Sequence, residues 1–226
     1  MNLGQHQILL SYGGAAGAPP ATLHNTATGA SVSSLQVSLS CTAGRNIIVA
    51  VHWYSDTTIS SITCTGESNL TVHGSRLSDT GSGNNHLQVA YLANLTSGGT
   101  KTFTVTMSGV TDYLHIKVTE ITGADAADFI EAIGTNTGAY PSTSATASAT
   151  STLANSILYL AAGSTYFGVS GTPDAEFTEL SDSQVLAGWS WAGYDLDAGT
   201  AGTETGTVTM SEGDDWMAIL VVMNPA

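Results

Sequence analysis

The chain has 226 residues, with Lys plus Arg 4 against Asp plus Glu 18, a net charge of -14 and only 10% charged side chains. That balance excludes binding to phosphate backbones, which needs a basic stripe, and to anionic membrane surfaces, which needs the same. The apolar fraction of 42% is enough for a packed core, and no window reaches the roughly 18 consecutive apolar residues of a membrane span.

Residues 1–30 open with "HQILLSY" and continue rich in Gly, Ala and Pro. They read as an extended arm whose apolar patch, Ile8, Leu9, Leu10 and Tyr12, contacts a neighbouring subunit. "MNLGQHQILLSYGG" lacks the positive start and long apolar run of a secretory signal, so none is expected. From residue 31 to 226 the pattern is that of a single all-β, antiparallel β-sandwich domain of jelly-roll type. "LQVSLSC", "HLQVAYL", "TFTVTMSG", "YLHIKVTE" and "TGTVTM" alternate apolar and polar residues, as half-buried strands do. In "YLHIKVTE" the face of Leu114, Ile116 and Val118 is expected inside, and His115, like His86, outside. "NIIVAVHWY", "SILYLAAG" and "WMAILVVM" are continuous apolar runs and predict central strands covered on both faces, or strands of a sandwich core. Gly- and Asn-rich turns such as "TGESN", "GSGNN" and "SGGTK" separate roughly ten strands in the rhythm of a sandwich. "ADAADFIEAIG" reads as a turn leading into a strand. The low-complexity segment "NTGAYPSTSATASATST" reads as a linker or an outer strand.

Each chemically suggestive group meets a plainer alternative. The six histidines, His6, His24, His52, His73, His86 and His115, have no i,i+2 or i,i+4 spacing, so no metal site is expected from them. Cys41 and Cys64 lie among apolar neighbours and read as buried thiols or as a cross-strand disulfide. Asp195 with Asp197, and Asp214 with Asp215, could suggest calcium or paired catalytic carboxylates, but neither lies in a complete motif. "SEGDD" reads as a solvated hairpin loop before the last strand. Trp189 and Trp191 share a face if extended. With Tyr194, and near Tyr166 and Phe167, they form either a glycan-stacking platform or a core or subunit contact. No catalytic residue, cofactor or metal is expected.

The stretches "NNHLQVAYLANLTSGGTKTFTVTMSG" and "DDWMAILVVMNPA" carry a resemblance. With "VAVHWYSD" and "ISSITCTGESNLTVHGS" ahead of them, they resemble a recurrent β-sandwich module of bacterial and phage proteins. The match runs over about residues 31–226, and its motifs are structural. Such modules are similar to parts of secreted surface proteins and of virion proteins, and the resemblance implies no catalytic residue. Together with the arm it implies a virion component, best taken as a capsid decoration (cement) protein of a bacteriophage. Its expected partners are copies of itself, with a trimer favoured, and the major capsid protein or another virion protein. The alternative is a glycan-binding or adhesion module at a cell surface, or a tail- or fibre-associated protein.

Overall fold

The computed structural model describes residues 23–81, 83–165, 168–185, 188–196 and 198–226. Ile8, Leu9, Leu10 and Tyr12 lie outside them, as do Tyr166, Phe167 and Asp197. The described residues form antiparallel strands throughout, as the alternation predicts: β1 (Leu23–Cys41), β2 (Asn46–Tyr54), β3 (Ile59–Cys64), β4 (Thr71–Val72), β5 (Leu77–Ser78), β6 (Asn85–Leu92), β7 (Gly99–Ile121), β8 (Ile130–Gly138), β9 (Ser144–Ser151), β10 (Ile157–Ser164), β11 (Gly171–Pro173), β12 (Thr178–Val185), β13 (Gly188–Asp195), β14 (Gly202–Met210) and β15 (Trp216–Met223). The expected sandwich is present twice, one after the other along the chain.

The first sandwich is one sheet bent back on itself. β7 is long enough to serve both layers: Phe103–Thr106 pair with β3 and with the second half of β1, whereas Tyr113–Ile121 pair with β2. β1 follows the same bend, with a register shift between Val32 and Ser34. "TFTVTMSG" and "YLHIKVTE" are therefore two halves of a single strand. The apolar side chains of both halves meet inside, Phe103 and Val105 opposite Val49, Val51, Trp53 and Ile116. Residues 23–30 of the expected arm belong to the first sandwich instead, because Leu23–Ala30 pair in register with Tyr113–Glu120, and the rest of that expectation lies outside the described residues. Apolar content is low in "LHNTATGA", and backbone pairing places it together with Leu23 and Ala27 packed on the first core and the Asn25 Nδ2 donation to Ser38 O (2.7 Å).

The second sandwich has two sheets. One has the order β12-β13-β10-β15-β8 and the other β11-β14-β9. Ala145, Ala147 and Ala149 of the low-complexity segment form an outer strand that lies over Leu158, Leu160, Trp191 and Leu220. Their small side chains admit the large ones opposite. "SEGDD" is not a hairpin loop. β14 and β15 belong to different sheets, so the segment carries the chain across the core.

The two sandwiches stack face to face, giving four layers. This is why β2, β10 and β15 are buried on both faces. In β10, Leu158 and Leu160 point into the second core, and Ile157, Tyr159 and Ala161 into the seam between the sandwiches. In β2, Val49 and Val51 point into the first core, and Ile48 and Ala50 into the same seam. Between residues 121 and 130 the chain crosses once from one sandwich to the other. That crossing is pinned to the C-terminal end by Asp125 N–H to Asn224 O (2.9 Å) and Ala226 N–H to Gly123 O (2.7 Å).

Candidate functional site

The sequence pattern turns every second residue of β7 away from the first core. In an isolated sandwich those residues face water. Here they face the second sandwich, so Tyr113, His115, Lys117 and Thr119 are all buried. His115 is thus not on the outside, because a second layer covers its face.

The seam has two unlike ends. Near the crossing it is apolar, with Ile48, Ile121, Phe129, Ile157 and Met223 packed together. At the far end it is polar. Cross-strand pairing puts His52 of β2 beside His115 of β7, and their ring centroids are 5.4 Å apart. Tyr113 meets both rings edge-on, at 5.5 Å and 5.4 Å. Asn85 Oδ1 joins the group, 2.6 Å from His52 Nε2 and 2.7 Å from the Tyr113 hydroxyl. An amide oxygen only accepts, so His52 must carry its proton on Nε2. His52 Nδ1 and both ring nitrogens of His115 have no hydrogen-bond partner in the protein. Across the seam, Gly163 and Gly188 leave the room these rings need. A Cβ at Gly163 would lie 2.9 Å from the His52 ring, and one at Gly188 2.4 Å from the Tyr113 hydroxyl.

Burial sets the electrostatics. Desolvation lowers His52 to about 3, against a lesser upward pull from the Asn85 hydrogen bond. It lowers His24 to about 3 as well, with Lys117 adding to the effect. His115 is held well below its ordinary value by burial, then by His52 and Lys117. Lys117 is brought down to about 7 by burial, which outweighs the attraction of Asp182 and Glu179. Its ammonium donates to Ser181 Oγ and, at 3.2 Å, to Ser183 Oγ on β12. All six histidines and all four Lys and Arg residues precede residue 121, so every imidazole and amine of the seam belongs to the first sandwich.

A buried amine with neutral hydroxyl partners is destabilising when charged. Lys117→Met keeps the length of the side chain and removes the charge. It is expected to stabilise the protein by about 2–4 kcal/mol at neutral pH, read as a shift in urea midpoint. The gain should shrink as pH rises from about 7 toward 10, where the wild-type amine is neutral when folded. A loss of stability on substitution would mean that the two serine contacts outweigh the charge.

The other expected sites resolve differently. Trp189 and Trp191 do share a face, but that face is the second core, and both rings are fully enclosed. Their indole N–H groups donate to Asp182 Oδ1 (2.6 Å) and Glu179 Oε2 (3.1 Å). Tyr194 has the opposite parity, so it points to the other side of β13. The three form no platform, and the enclosed indoles offer nothing to stack on. Asp214 is buried and accepts from Thr165 Oγ1 at 3.1 Å. Asp215 Oδ1 accepts from Thr80 Oγ1 (2.9 Å) and from Tyr140 N–H (3.1 Å). Thr80 belongs to the first sandwich and Asp215 to the second, so this carboxylate clasps the two together at the polar end of the seam.

Both cysteines are free and buried. Cys41 and Cys64 flank β7 on opposite sides, opposite Gly99 and Phe103. Two strand spacings, about 10 Å, separate them, which is beyond disulfide reach. Burial raises the thiols to about 12 and about 11, so they act as small apolar groups. An open groove of about 500 Å³ lies beside Thr58, Ile59, Val72 and Arg76. Its guanidinium is already committed to Asp56 Oδ1 (2.5 Å) and Thr57 O (2.6 Å). Among the described residues, no group of three or more His, Cys, Asp or Glu side chains is placed to hold a metal ion.

No protein-family model matches the chain. No curated protein matches it. Among solved structures it is similar to the ANX2 ectodomain from Arabidopsis thaliana, at 7% identity and a TM-score of 0.27, over 98% of this chain and 89% of that one. A likeness at that level leaves the function to be argued from the residues of this chain.

Proposed function

We propose that the chain is a non-enzymatic structural protein of a virus particle, a capsid decoration (cement) protein that stabilises the surface of a bacteriophage. The observation that supports this best is how its chemistry is spent. The imidazoles and the amine of the seam are sealed between the sandwiches, and the buried indoles hold one sheet to its own edge strand. What remains outside is acidic, rich in Ser and Thr, and poor in sticky groups. Among the described residues only Val110, Tyr140 and Leu153 expose a large apolar side chain, and singly exposed apolar residues are ordinary. Subunit contact is therefore assigned to Ile8, Leu9, Leu10 and Tyr12 of the N-terminal segment. Copies of the chain are expected to close into a ring, with a trimer favoured, on the major capsid protein or another virion protein.

The test uses particles released by cells that carry the gene. Antibody raised against the purified chain should decorate them at regular spacing. A variant with Ile8, Leu9 and Leu10 changed to Ser should fold normally, yet lose both self-association and particle binding. Antibody signal confined to cell debris would sink the reading. So would a variant that assembles as the parent does.

A further inference from the structure

We propose that the polar end of the central seam is an acid-operated catch. Protonation of His52 and His115 parts the two sandwiches about the crossing at residues 122–129, while each keeps its own core. This inference does not rest on the particle reading.

Three observations carry it. The first is that the rings are committed to the neutral form. His52 spends its one N–H on Asn85 Oδ1, which also accepts from Tyr113. A second proton on His52 would place an N–H at Nδ1, where no acceptor waits. His115 has no partner for either nitrogen, so its cation would be buried with no acceptor at all. An unpaired buried charge is among the most costly features a fold can carry. Opening the seam to water relieves it.

The second is what surrounds the pair. On their own side lie His24 of β1, Tyr113 and Lys117 of β7, and His86 of β6. A second cation there repels rather than compensates. From the facing side come Tyr159 of β10 and the carboxylates Asp182 and Glu179 of β12. Those two carboxylates already accept the Trp189 and Trp191 indoles. Asp79 and Asp214 act on Tyr113, and Asp215 sits in the clasp with Thr80.

The third is the build of the seam. The clusters that form the two outer cores are built of apolar side chains, with the His86 ring against Trp53 and the buried Glu67–Lys101 pair at the margin of the first, so acid acts mainly on the seam. The end of the seam next to the crossing is apolar too, and stays closed as a spine. His52 and His115 lie at the end farther from the crossing, where a small rotation opens the widest gap, while His24 sits level with Thr119 and Ile48, nearer the crossing.

Small-angle scattering and far-UV circular dichroism of the full chain, followed from neutral pH to about pH 4, test the proposal. The radius of gyration should rise as pH falls, reversibly, while the strand signal persists. A chain with His52→Gln and His115→Phe should stay closed through the same range. Should that variant fail to fold, the ring protons of the wild-type histidines, followed by NMR, take its place. They should then titrate together with the expansion. Unchanged scattering down to pH 4 overturns the proposal. So does expansion that coincides with loss of the strand signal, because the whole fold would then be melting rather than one seam.

Discussion

Trp191→Ala is expected to cost the second sandwich about 3–5 kcal/mol, enough to unfold it in a moderately stable protein. The indole is fully buried between the sheets, among Leu160, Val208 and Leu220. Removing it leaves a cavity that Ala145 and Ala147 opposite are too small to fill. The lost hydrogen bond adds less, because Glu179 is exposed and can rehydrate. Trp191→Phe should fall between, since it keeps most of the apolar area. Urea unfolding reads both. A loss under about 1 kcal/mol for the alanine variant would mean that the ring is not part of the core.

Acidification should remove stability by a comparable or larger amount. The sign follows from the unfolded chain, where an imidazole binds its proton near pH 6.5. In the folded protein His52 and His24 do so only near pH 3. Between those limits the unfolded state holds more protons, so stability is full above 6.5 and declines as pH falls toward 3. At pH 4 each ring accounts for about 3 kcal/mol, and His115 acts in the same direction. The sum is a large share of the 5–15 kcal/mol typical of whole domains, an order-of-magnitude comparison. Urea midpoints at pH 7, 5 and 4 check it. A midpoint that holds steady to pH 4 would show that these rings are hydrated in the folded protein.

Much of the fold is legible along the chain because strands alternate. The runs "NIIVAVHWY", "SILYLAAG" and "WMAILVVM" read as strands covered on both faces or as strands of a sandwich core, and in the structure both faces are covered. Alternation shows which residues share a face but not what covers the other face. That is why His115 and His86 read as solvent-facing and prove buried. The continuous runs held the missing signal. A two-layer sandwich needs no strand covered on both sides, and three such runs call for more than two layers. The bend in β7 was hidden for a different reason. "SGVTD" has the composition of a turn, yet the strand continues through it with its partner β1 bending alongside. Trp189 and Trp191 were correctly placed on one face, and only the packing of β9 and β14 decides that this face is inside.

Among the described residues the chain crosses between the sandwiches only once, and this orders their assembly. All strands of the first sandwich lie before residue 122, so it can close while the second is still being synthesised. Until then the face bearing Ile48, Leu87, His52 and His115 stands open to water, where the histidines titrate as ordinary imidazoles. Docking of the second sandwich is the last event. It is also the step that must expel any proton those rings have taken up, so the final stage of folding should slow in acid while the earlier ones do not.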